Sequence, residues 1–157
     1  LSRHSMNSFK SDFERLAVAN RSNIVTELTF RFDRLYGKTK AETGVILVEF
    51  AVQVGLSERQ LPIYGDTLRS WGDENTAPLW ACKAALLLLM QNGWEPRSNT
   101  EWAVFAYLFI RINQDKFLSD LLPLLPVHYE STTAAGWLCA ALEAQQNFLS
   151  ERRNEFN

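Results

Sequence analysis

His128 is the one histidine outside the first five residues, so base-assisted attack by a serine or cysteine would have to run through it. It stands in Pro126-Val-His-Tyr-Glu130, a loop composition in which a part-exposed histidine with no chemical role is the simpler reading. Metal chemistry has less to work with, because neither Cys82 nor Cys139 has a histidine or second cysteine at ligand spacing. Each cysteine falls inside an apolar helical pattern and is expected as a buried, inert thiol. The seven glycines are scattered singly and build no phosphate-cradling loop. Asp66, Asp73 and Glu74 sit where turns and helix starts are expected, so capping explains them. No catalytic residue, cofactor site or metal site is assigned.

Binding chemistry offers more. Arg31, Arg34, Lys38 and Lys40 interleave with Phe30, Phe32 and Tyr36, the mixture that stacks bases and neutralises phosphates. At helical spacing, however, Phe32, Leu35 and Tyr36 point one way while Arg31, Arg34 and Lys38 point the other. That describes an amphipathic helix with a solvated charged face, and nucleic acid or an acidic protein is the partner such a face would take. A second stretch runs from Phe50 through Gly55 and Ser57 to Trp71, with Ala51 four residues before the glycine and Arg59 and Gln60 opening the following segment. These 22 residues resemble helix-turn-helix regulators, which would make Arg59 and Gln60 base-reading side chains. Pro62 and Glu58 depart from that pattern.

Apolar residues also fall where a loop or a polar helix is expected. Leu121, Leu122, Leu124 and Leu125 surround Pro123, and Phe148, Leu149 and Phe156 interrupt an otherwise polar final helix. Apolar side chains in such places mark partner-binding surfaces.

The elements that must position these residues are helices. Capping boxes are legible at Thr39-Lys-Ala-Glu42, Ser57-Glu-Arg-Gln60 and Ser98-Asn-Thr-Glu101. Gly37, Gly55, Gly72 and Gly93 are the expected stops, and Trp94 is placed for the hydrophobic contact of a Schellman motif. Helical stripes run through Phe9, Phe13, Leu16 and Ala17, and from Ile24 to Tyr36, although 28–32 also alternates like a strand. Residues 41–54 are apolar nearly all round, which predicts the buried centre of the fold, with Gly44 kept for close approach of another helix. Further helices are expected from Ser57 to Trp71, from Pro78 to Gln91, from Trp102 to Asn113, near 116–122 and over 132–152.

Composition agrees with an all-α, compact array or bundle of seven to eight helices in a single domain spanning 6–157. The 157 residues are 46% hydrophobic and 22% charged, ordinary for a globular chain. Leu1–Ser5, ahead of Met6, read as a vector-derived remnant. The longest apolar run, Trp102–Ile110, is short of the ~20 residues a membrane span needs, and no secretory signal is visible, so a cytoplasmic location is expected. The net charge of −2 is uneven, with eight basic and four acidic residues up to Lys40 and the acids in excess thereafter. With no enzyme signature, the expected function is a non-enzymatic interaction module that binds another protein as a homo- or hetero-oligomer. Nucleic-acid binding through the basic third or the 50–71 corner is the alternative.

Overall fold

The computed structural model describes residues 13–58 and 63–155, with side chains described as far as Gln146. Among these residues every regular element is helical: α1 (13–20), α2 (Asn23–Tyr36), α3 (Lys40–Gln53), α4 (Gly65–Glu74), α5 (Leu79–Gln91), α6 (Asn99–Ile112), α7 (Leu118–Leu121), a 3-10 turn (Leu122–Leu124) and α8 (Ser131–Glu155). Contacts gather them into two compact units, Ala19–Glu95 and a second made of 1–18 with Pro96–Asn157.

In the first unit α2 lies against α5, α4 and α3, and α3 against α4 and α5. The stretch 28–32, ambiguous in sequence, is helical, and Ile24, Val25, Leu28 and Phe32 form its buried face. Ser22 precedes α2 but does not cap it. Its hydroxyl accepts from the Ala77 amide at 3.0 Å, its own amide donates to Asn75 Oδ1 at 3.1 Å, and Arg21 Nη2 donates to Ala77 O at 2.9 Å. These three bonds fasten the α4–α5 connection to the start of α2. At the other end Arg31 Nε donates to Asn92 O at 2.8 Å, and the Tyr36 hydroxyl meets Asn92 Oδ1 at 2.5 Å. A guanidinium at the carbonyl end of α5 also opposes the negative pole of that helix.

The glycines divide into two kinds. Gly37, Gly55 and Gly93 take positive φ after their helices, and Trp94 is buried with its amide donating to Leu89 O at 3.0 Å, as the Schellman reading requires. Gly72 is not a stop. It lies inside α4, which closes instead at Asn75 with φ 53°, and a Cβ at Gly72 would stand 2.1 Å from Thr26 Oγ1. Its smallness is needed where α4 meets α2. Gly44 does serve a close approach, but the approaching group is the Ile63 carbonyl, 2.8 Å from where a Cβ would be, rather than another helix.

Two expectations about helices fail. The helix expected from Ser57 starts only at Gly65: Ser57, Glu58, Ile63 and Tyr64 are non-helical, and Tyr64 is exposed. The predicted box at Ser57 ends on Gln60, which lies outside the described residues. Second, α3 is not buried all round. Thr43, Gly44, Leu47, Val48 and Ala51 face its neighbours, whereas Val45, Val52 and Val54 are exposed and Phe50 is half-buried. Its neighbours occupy one side, and valine on the other side hides that asymmetry from any reading of polarity.

In the second unit α6 packs along α8 and is the enclosed element, with every residue from Ala103 to Ile110 buried. Trp102, Phe105, Phe109 and Tyr129 form one aromatic cluster, Phe105 lying 5.2 Å from Phe109 and 5.6 Å from Tyr129. α1 is held there by Phe13 against Trp137 and by Glu14 opposite Arg111, whose guanidinium also covers the Tyr107 ring. The Ser98 box forms only in half. Ser98 Oγ accepts from the Glu101 amide, but Glu101 Oε1 receives the Arg97 amide at 2.9 Å, one residue before the cap.

Candidate functional site

The connector between α6 and α8 is built from apolar residues that do not all turn inward. Phe117 caps α7, its amide donating to Asp120 Oδ2 at 3.0 Å, and Pro123 ends α7 by tightening the chain into the 3-10 turn. Leu121 is fully buried and ties the connector to its own unit. Leu122 and Leu125 are half-buried. Leu124 is 49% exposed and Phe117 79%, while Val127 has no cover at all. Phe148 and Leu149 lie on α8 with side chains outside the described residues, and Phe156 lies outside them altogether. Phe117 and Val127 were not marked by sequence reasoning. Phe117 falls inside the helix expected near 116–122 and Val127 directly follows the Leu-Pro segment, so composition alone did not set either apart.

Next to Phe117 a groove runs between the end of α6 and α8. Ile110, Phe117, Leu118 and Leu142 supply its apolar lining, and Asp115, Lys116, Glu143 and Gln146 its polar rim. Cys139 opens onto it as an exposed free thiol, so the expectation of a buried cysteine holds for Cys82 and fails here. Cys82 Sγ lies 3.9 Å from Ala77 O, and burial raises its pKa to about 11 against the small opposing effect of Arg21.

Of the basic stretch, Arg31 and Arg34 line one open surface hollow with Phe30 and Glu27, and Lys38 lies apart from it in an ion pair. Arg31 is engaged by Asn92 O, and Lys38 Nζ stands 3.8 Å from Glu42 Oε2. Arg34 and Lys40 are exposed, and Phe30 beside Arg34 is 71% exposed. Arg59 and Gln60 lie outside the described residues. α4 follows α3 and packs against it, but it opens at Gly65 rather than after Ser57, so Arg59 and Gln60 precede it.

Titratable groups elsewhere serve helix ends. Glu130 accepts from the Thr133 amide at 2.6 Å and the Thr132 amide at 3.1 Å, and hydrogen bonds led by the Thr133 hydroxyl hold its carboxyl below the usual range. Glu42 is lowered in the same way by the Thr39 amide, completing a capping box whose two bonds are each 3.1 Å. His128 is exposed, edge-on to Tyr129 with ring centroids 5.0 Å apart. Among the described residues no group of three or more histidine, cysteine or acidic side chains is placed to hold a metal, and no helix is long and apolar enough to cross a membrane. No protein-family model, curated protein or solved structure matches the chain.

Proposed function

We propose that this chain is a non-enzymatic helical protein–protein interaction module, of adaptor, chaperone-like, immunity or regulatory type, whose binding face is the α6–α8 connector. The observation that carries this reading is the exposure of Phe117, Leu124 and Val127 on one short connector that Leu121 anchors to its unit. Fully burying a large aliphatic or aromatic side chain stabilises an association by about 1.5–3 kcal/mol, and an anchored segment loses little order on binding. Leaving three such side chains in water forgoes that gain unless a partner takes it. The test is retention of partner proteins from the source cell, compared for the parent chain, Leu124→Asp and Val127→Asp. Circular dichroism would check that each variant keeps its helices. A retained protein that both variants lose, and that binds the purified parent at least about tenfold more tightly, is the expected result. An unchanged set of retained proteins would refute the assignment of this face.

A further inference from the structure

We infer that the outer face of α2 binds a nucleotide unit, free or within a single strand, with the base on Phe30 and the phosphate between Arg31 and Arg34. The site is separate from the connector, and different variants test the two. Glu27, Phe30, Arg31 and Arg34 lie on one side of the helix and line one open hollow of about 280 Å³. That is near the lower end of small-ligand sites, so it takes one base rather than several. The opposite face of α2, with Ile24, Val25, Leu28 and Phe32 buried, makes the core contacts. All the residues the site uses belong to the unit Ala19–Glu95.

The two cations are presented differently. Arg31 is half-buried, with its Nε donating to Asn92 O at 2.8 Å and its Nη2 3.3 Å from where a Cβ at Gly93 would stand. The glycine leaves room for the guanidinium, the carbonyl fixes its plane, and an anion meets its Nη nitrogens. An arginine already held in place loses little freedom on binding. Arg34 is exposed and stands three residues on, a surface neighbour with about 5–6 Å between Cβ atoms. Two guanidiniums at that spacing share the several oxygens of one phosphate. Phe30 adjoins both and is 71% exposed. A lone ring among charges is too little apolar surface for the core of a protein interface, but one open ring face is what a stacked base uses. Glu27 lies seven residues before Arg34, about 10 Å along the axis. Its carboxylate repels phosphate, which reserves the Arg34 end for the anion.

Fluorescence anisotropy of a labelled hexa-adenylate strand, titrated with the full chain at low salt, should rise to saturation. Phe30→Ala, at an exposed position that leaves the fold intact, should weaken binding about fivefold or more, and Phe30→Trp should retain it. Arg34→Ala should weaken it and reduce the salt slope by about 1. Lys40→Ala, which removes an exposed cation outside the hollow, should change it little, as should Leu124→Asp on the connector. Competition separates the two sources of the ligand: displacement by adenosine monophosphate assigns a free nucleotide, and binding of the strand alone assigns a single strand. Absence of saturable binding overturns the proposal. So does an unchanged Phe30→Ala variant, a Lys40→Ala loss equal to that of Arg34→Ala, or inorganic phosphate competing as well as the nucleotide.

Discussion

The two cysteines show how position in a helix decides residue chemistry. Cys82 is enclosed and its thiol is held neutral, whereas Cys139 is open to solvent on α8. Native protein should react with a thiol reagent at mildly alkaline pH through Cys139 alone, with the second equivalent appearing only on unfolding; two fast equivalents would contradict the burial of Cys82. The folded pKa of Cys82 is raised, so its stabilising contribution is complete below its ordinary value of 9.0 and is lost as pH rises toward about 11. Thr43 raises a different point. Its hydroxyl is buried in α3 with no hydrogen-bond partner among the described residues. Replacing a buried, unsatisfied hydroxyl by a methyl of the same shape removes a desolvation penalty, so Thr43→Val should stabilise by about 1 kcal/mol. A lower midpoint in urea would show that the hydroxyl has a partner after all.

At the level of elements, helix ends were legible because capping uses short side chains at fixed offsets. Thr39 and Glu42 formed both expected bonds, and Gly37 and Gly93 took the expected left-handed turn. Glycine is ambiguous in sequence when it serves packing instead, as Gly72 does, since the group that needs the space is Thr26 on a distant helix. Gly44→Ala makes the competition measurable. Ala gains about 1 kcal/mol of helix propensity over Gly, but its Cβ would stand 2.8 Å from the rigid Ile63 carbonyl. The clash should win, with a net loss of about 1–3 kcal/mol; a gain would mean that the 63–64 segment yields freely. The caps also bear on acid stability. Glu42 and Glu130 have lowered folded pKa values, so their contribution is present above the unfolded value of 4.5 and is lost as pH falls through the folded one. Glu130→Gln should accordingly lower thermal stability at neutrality and flatten its further loss on acidification below pH 4.5.

Across the whole molecule, the all-helical class was readable from period and punctuation, yet the identity of the innermost helix was not. Both α3 and α6 are apolar around most of their circumference, and nothing local distinguishes a helix with neighbours on one side from one enclosed by them. The difference lies in contacts far along the chain. α6 has α8, Tyr129 and α1 gathered about it, while α3 keeps Val45 and Val52 in the open. The candidate connector was half legible for a related reason: Leu121 and Leu124 are the same residue type three apart, and only the docking of the turn decides which is buried. The two helices can be ranked by truncation. Phe105 is fully buried and in contact with three other rings, so Phe105→Ala should cost about 3–5 kcal/mol. Phe50 is half-buried on α3, and less apolar surface returns to water when it is truncated, so Phe50→Ala should cost about 1–2 kcal/mol. Urea midpoints at constant slope would measure both. If the Phe50 variant loses as much as the Phe105 variant, α3 carries the core and the one-sided packing described for it is wrong.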